Sequence, residues 1–245
     1  MIIANWKMNG NRAQVIEWLD CLQKYLTLSE QSECIFCPPL IYMDIAQEQI
    51  SLNKMKITLG SQNLDYDSKH PKTGGIDASM LNDLGCKSVI IGHSERRLYF
   101  GENNSILSKK LVSASKNNID IVFCIGETES EKDKGLCHEV LREQLKALNG
   151  LQIKKLFIAY EPVWAIGTGK IPSMKYIEEI HHFIKDELKC SHYYNSDRPV
   201  LYGGSVNFDN ASEISNLDSV NGLLVGGASL NPRNFSDIVK KNRTK

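Results

Sequence analysis

The feature that most constrains this chain is a rhythm. Short apolar, β-branched runs alternate with longer amphipathic stretches from one end to the other. The runs fall at residues 2–6, 34–37, 57–62, 88–91, 119–125, 156–160, 199–202 and 222–225. Several are almost wholly apolar, the pattern of strands covered on both faces. Between them, residues 14–25, 105–117, 139–148 and 174–188 carry apolar side chains at helical spacing. Eight runs in 245 residues leave about 30 residues per unit, the size of a strand–helix–strand repeat. No Pro- or Ser-rich linker and no shift in composition divides the chain. Equal units without a boundary predict an α/β fold, a single (β/α)8 barrel over residues 1–245. An open doubly wound sheet would want a Gly-x-Gly-x-x-Gly turn after the first run and an acid closing the second. Neither is present.

Lys plus Arg and Asp plus Glu both number 29, so the formal net charge is zero. A nucleic-acid or anionic-membrane partner normally needs a basic surplus, so neither is expected. No apolar run approaches the roughly 18 residues that span a bilayer, and the amino terminus lacks the basic-then-apolar plan of a secretion signal. Seven scattered cysteines suit a reducing compartment, which makes cytoplasm the expected location. Cys34 and Cys37 have Cys-x-x-Cys spacing, but strand positions i and i+3 face opposite ways. No second such pair completes a zinc site, so two packed thiols and no metal are expected.

A barrel concentrates chemistry where strands run into loops, at its carboxyl face. Four strand ends carry unusual residues. In Asn5-Trp6-Lys7-Met8-Asn9-Gly10, Asn5 and Lys7 at i and i+2 would point into one space, where the lysine offers a cation to a phosphate or an oxyanion. In Gly92-His93-Ser94-Glu95-Arg96-Arg97, His93 opens a short helix, whose positive end favours an uncharged imidazole that can donate to a carbonyl. Glu161 ends the sixth run, ahead of Pro162, the apolar tip Val163-Trp164-Ala165-Ile166 and then Gly167-Thr168-Gly169-Lys170. An apolar tip on an exposed loop suits a lid, stiffened by the proline and freed by the glycines. Gly169-Lys170 looks like the end of a Walker A loop, but Trp164 stands where its first glycine belongs and Ile171 where Ser or Thr does. Finally, Gly203-Gly204-Ser205 and Gly226-Gly227 follow the seventh and eighth runs, where backbone N–H groups of such barrels hold phosphate.

Taken in order, Asn-Trp-Lys-Met-Asn-Gly, Gly-His-Ser-Glu-Arg-Arg, Tyr-Glu-Pro-Val-Trp-Ala-Ile-Gly-Thr-Gly-Lys, Tyr-Gly-Gly-Ser and Leu-Val-Gly-Gly-Ala-Ser-Leu make the chain resemble the triosephosphate isomerase family. The match runs from Asn5 to Ser229. The resemblance implies the interconversion of dihydroxyacetone phosphate and D-glyceraldehyde 3-phosphate through an enediol(ate), with no cofactor. Glu161 would be the base and His93 the electrophile and proton shuttle. Lys7 and Asn5 would meet the substrate oxygens, and Gly167, Ser205, Gly226 and Gly227 would hold the phosphate. The pairing of a carboxylate base with an uncharged imidazole is this family's own known pattern and comes with the resemblance. Another phosphosugar-acting barrel enzyme, or a non-catalytic barrel interaction protein, is the alternative. An aldolase would want a Schiff-base lysine in a central strand, and an interaction protein has no use for Glu161, His93 and Lys7 together.

The resemblance also implies a homodimer in which a loop, here Thr73-Gly74-Gly75, reaches into the partner subunit. Gly75 replaces a glutamate that in the family pairs with the arginine matching Arg96. Arg96 is thus expected to lack its usual partner unless Glu102 or Asp77 substitutes, and Gly75→Glu is expected to tighten the dimer. Asn221 stands where the family often has an aspartate.

Overall fold

Eight short strands form where the apolar runs lie, in a computed structural model that describes residues 1–66, 70–190 and 198–242. They are β1 (Ile2–Asn5), β2 (Cys34–Cys37), β3 (Thr58–Ser61), β4 (Ser88–Ile91), β5 (Asp120–Ile125), β6 (Leu156–Tyr160), β7 (Val200–Tyr202) and β8 (Leu223–Val225). Each pairs in parallel with the next, and β8 pairs with β1, so the sheet closes as a barrel. Closure leaves no edge strand exposed. Helices connect the strands: α1 (Arg12–Tyr25), α2 (Leu28–Gln31), α3 (Met43–Leu52), α4 (Ala78–Asp83), α5 (Ser94–Phe100), α6 (Asn104–Lys116), α7 (Glu129–Asp133), α8 (Cys137–Leu145), α9 (Met174–Cys190), α10 (Ala211–Ser215) and α11 (Pro232–Lys241). Among the described residues, no helix is long and apolar enough to cross a membrane.

Side-chain alternation sorts the strands into two cores. Ile3, Cys37, Ile90, Val122, Cys124, Leu201 and Leu224 fill the inside of the barrel. Their strand neighbours, such as Ile2, Phe36, Ile91, Ile121 and Phe123, pack outward beneath the helices. Both faces are therefore dry, which is why the runs read as continuous rather than alternating. Cys34 faces the helices while Cys37 faces the barrel interior, and none of the seven cysteines is in a disulfide.

The helices follow ordinary rules. In α1, Asn11 caps the first turn by accepting from Gln14 N–H at 3.0 Å, and Val15, Trp18, Leu19 and Leu22 form the buried stripe. In α11, Asn231 caps, Pro232 occupies the first turn, and Phe235, Ile238 and Val239 are buried. The 139–148 stretch is α8 followed by a 3-10 turn at Lys146–Leu148.

Candidate active site

The polar residues at the strand ends owe their positions to backbone details just past each strand. β1 stops at Asn5, one residue earlier than the apolar run suggests. Trp6 N–H still reaches Cys37 O at 3.2 Å, but Lys7 adopts a left-handed φ of 52°. Few residues other than glycine and asparagine sit there unaided. Lys7 is held on both sides: its N–H donates to Asn5 Oδ1 at 3.1 Å, and its carbonyl accepts from Gln62 Nε2 at 2.8 Å. Asn5 and Lys7 thus share a space through this turn and not, as strand alternation predicted, through a common strand face. Lys7 Nζ lies 2.6 Å from Glu95 Oε1.

At the end of β4, His93 caps α5, with Glu95 N–H donating to its Nδ1 at 3.2 Å. An accepting Nδ1 carries a lone pair, so this network assigns the ring proton to Nε2. Nε2 stands 3.1 Å from Glu161 Oε1. The pair is close but not aligned as a hydrogen bond, since Oε1 is buried without one. The other oxygen, Oε2, accepts from Ser94 N–H at 2.9 Å, at the start of the same helix.

Glu161 follows β6 directly and is 2% exposed. Two glycines make room for it. A Cβ on Gly126 would lie 1.7 Å from the Glu161 carbonyl oxygen, and one on Gly203 would lie 3.0 Å from its Cγ. Behind it, Arg97 donates to the carbonyls of Gly92 and Cys124 at 3.0 and 3.2 Å and to Asn104 Oδ1 at 2.9 Å, tying β4 to β5. Burial lowers the Arg97 pKa, and neighbouring Cys124 and Glu161 oppose that shift. The Cys124 thiol is pushed up, first by burial and then by the Glu161 charge.

These groups meet at one cavity of about 330 Å³ at the carboxyl end of the barrel. Its lining includes Asn5, Lys7, His93, Glu161, Ile166, Gly167, Ser205, Gly226 and Gly227. Gly203, Gly204, Val206, Asn207, Leu224 and Ala228 complete it. The remaining residues of the loop from Pro162 to Lys170 stand beside the cavity. Val163, Trp164 and Ala165 form a 3-10 turn, Thr168 Oγ1 donates to Trp164 O at 3.1 Å, and Lys170 pairs with Glu129 at 2.6 Å. Gly167 and Gly169 have φ of 68° and 74°. The Ser205 hydroxyl donates to Ala165 O, joining the turn after β7 to this loop.

The Thr73-Gly74-Gly75 loop lies elsewhere. Gly74 lines a separate cavity with Asn63, Asp65 and Arg96. The positive φ in this loop belongs to Gly74, at 78°. Arg96 has a partner after all: its Nε donates to Glu102 Oε1 at 2.7 Å, an oxygen shared with Lys110 Nζ at 2.7 Å. Asn221 Oδ1 accepts from Val200 N–H at 3.0 Å, so the amide oxygen serves as acceptor at the position where an aspartate was expected from the resemblance.

One group near the site went unread in the sequence. Glu127, two residues beyond β5, is fully buried and accepts from Trp164 Nε1, Tyr160 OH and Tyr176 OH. It belongs to no motif, and its donors are 33 to 49 residues away in sequence. A carboxylate closing a six-residue apolar strand was the available signal.

A family model described as triosephosphate isomerase matches residues 1–242. Among curated relatives named triosephosphate isomerase, that of Lawsonia intracellularis is 42% identical over 98% of this chain and 96% of its own length. That of Aquifex aeolicus is 39% identical over 98% of both chains. That of Nitrosococcus oceani is 37% identical over 97% of this chain and 96% of its own. With matches that run nearly end to end and the strand-end residues gathered at one cavity, the chain belongs to the triosephosphate isomerase family.

Proposed function

We propose that this protein interconverts dihydroxyacetone phosphate and D-glyceraldehyde 3-phosphate by moving one proton between neighbouring carbons, and needs no metal or organic cofactor to do so. The observation that carries the reading is the meeting of a buried carboxylate, an Nε2–H imidazole and a lysine around a single cavity with glycine-rich turns on its far wall. A proton alpha to a carbonyl is weakly acidic, so a base needs an electrophile working with it. Glu161 takes the proton. His93 donates from Nε2 to the substrate oxygen that gains charge and shuttles a proton between the two oxygens. Lys7 offsets the charge of the enediolate and the phosphate, and Asn5 orients the same oxygens. Gly167, Ser205, Gly226 and Gly227 hold the phosphate through backbone N–H groups. The loop from Pro162 to Lys170 closes over the bound substrate and excludes water, keeping the enediolate from eliminating phosphate.

The working form is a homodimer in the cytoplasm. Met8, Ile41, Met80, Leu98 and Phe100 are 97%, 78%, 55%, 68% and 65% exposed. All sit on segments that follow β1 to β4, on one side of the barrel mouth. Large apolar side chains gathered on one side suit burial against a second copy of the same surface. The Thr73-Gly74-Gly75 loop follows β3 on that side and would approach Asn5 and Glu95 across the interface. A coupled assay starting from D-glyceraldehyde 3-phosphate tests the activity. Wild-type protein should turn over and Glu161→Gln should not; equal rates, or none in either, would refute it.

A further inference from the structure

Beyond the end of β4, side chains continue the ladder along β5. β4 pairs with β5 only as far as Ile91 opposite Phe123. On the other side of β5, Ile125 O and Glu127 O accept from the N–H groups of Glu161 and Val163 at 2.8 and 3.0 Å. Gly126, between them, therefore turns its own N–H and C=O away from β6, toward the side that β4 has left. Gly126 is buried, and buried backbone groups need partners. One side chain supplies both. Gly126 N–H donates to Gln144 Oε1 at 2.8 Å, and Gln144 Nε2 donates to Gly126 O at 2.9 Å. The amide grips the glycine as a neighbouring strand would.

The helix that carries Gln144 is itself anchored. In α8, Leu141 and Leu145 are buried, and Gln144 lies between them on the same side of the helix. Asn104 Nδ2 donates to Glu143 O at 3.2 Å, while Asn104 Oδ1 accepts from Arg97 Nη1 at 2.9 Å. The end of α8 is thus tied to the helix that His93 opens. The other side of Gly126 leaves little tolerance. A Cβ there would lie 1.7 Å from Glu161 O, so the two backbones touch directly. A shift of Gly126 is passed to the residue that bears the carboxylate.

We propose that Gln144 is a positioning residue for the proton transfer: its amide fixes Gly126, and through Gly126 the backbone of Glu161, and so sets where the base stands. Gln144 does not line the cavity, so it acts only through the glycine. Proton transfer depends steeply on the placement of the base. The proposed phosphate contacts after β7 and β8 do not depend on Gly126. Loss of the amide therefore falls on kcat and spares KM. The inference deepens the isomerase reading and rests on it.

The test is a double-mutant cycle on the full-length protein, read by steady-state kinetics with D-glyceraldehyde 3-phosphate. Wild type, Gln144→Met, Glu161→Asp and the double variant are compared at a temperature where all are folded. Gln144→Met should lower kcat about tenfold and leave KM within about twofold. Once Glu161→Asp has already withdrawn the carboxylate, Gln144→Met should cost less than about threefold more. An equal loss in both backgrounds would make the amide a merely structural group and overturn the proposal. An unchanged kcat, or a KM that rises as far as kcat falls, would overturn it too. If Gln144→Met does not fold, the cycle is run with Gln144→Glu. That variant matches the shape and still accepts from Gly126 N–H, but turns a carboxylate toward Gly126 O; the same outcomes decide. Failure here leaves wild-type turnover untouched, so the isomerase reading stands or falls separately, on the comparison with Glu161→Gln.

Discussion

Glu161 is placed by three neighbours: Ser94 N–H on one oxygen, His93 Nε2 near the other, and Gly203 clearing space at its Cγ. Shortening it to Asp withdraws the carboxylate by about 1 Å, a displacement that costs on the order of 10²-fold in rate. Steady-state kinetics of Glu161→Asp should show the loss in kcat, with KM little changed under the proposed phosphate-based binding. An Asp variant within threefold of wild type contradicts the assignment. On the proposed role of its ammonium in both ground and transition states, Lys7→Met should raise KM and lower kcat together. Its fold should survive: Glu95, the partner left behind, is partly exposed and can be hydrated. His181 concerns stability alone. It is completely buried, with Nδ1 3.3 Å from Ser219 O, and burial lowers its pKa from 6.5 to about 3. The unfolded chain therefore binds a proton that the folded one refuses between those values, so stability falls as pH drops below about 6.5, by up to ~1.4 kcal/mol per unit. Urea midpoints of wild type and His181→Leu at pH 7 and pH 5 test this; the variant should lose the acid sensitivity. His93, Glu161, Lys7 and Asn5 were legible in the sequence because each is polar at the end of an apolar strand. Glu127 met the same description, yet a single acid in a turn has no spacing partner to draw the eye.

At the scale of elements, the strands were the most legible part, because both of their faces are dry and the runs stand out. Boundaries moved by a residue or so where backbone overrode pattern, as at Lys7. The helices α3 and α4 were not anticipated, whereas the short helix opened by His93 was. α4 spans only six residues, too short for an apolar stripe to repeat. The junction of β5 and β6 is the most exacting contact between elements. Glu161 N–H donates to Ile125 O at 2.8 Å, while the next residue, Gly126, passes so close that a Cβ would sit 1.7 Å from Glu161 O. Gly126→Ala must push the two strand ends apart. It should cost about 1–3 kcal/mol of stability, read as a fall in Tm of several degrees, and should lower kcat by displacing Glu161. An alanine variant with unchanged Tm and kcat would show that the junction relaxes freely.

For the whole molecule, the Gly75 departure reads differently once the structure is in view. Arg96 and Lys110 already share Glu102, which is 5% exposed, so no unpaired charge awaits a glutamate at 75. A Cβ there would lie 3.1 Å from Lys72 O and 3.4 Å from Asp65 Oδ2, and a carboxylate beyond it would add charge beside Asp65. The Glu102 contact of Arg96 therefore argues against the expectation that Gly75→Glu tightens a dimer. Sedimentation over a dilution series should find the variant dimer equal to or weaker than wild type. A tighter dimer would mean that Arg96 turns to the new acid across the interface. The sequence offered Glu102 only as one of two acids that could serve Arg96, because the cluster of Arg96, Glu102 and Lys110 forms only when α5 and α6 pack together. The central claim is the proton's route. Conversion of dihydroxyacetone phosphate in D2O, followed by NMR, reports it directly. A carboxylate that lifts the proton and returns it from an enediolate exchanges with solvent during the intermediate's life, so deuterium should appear at C2 of the aldose. Product carrying only the substrate's own hydrogen in every turnover would mean a direct hydride shift, and would contradict Glu161 as the base.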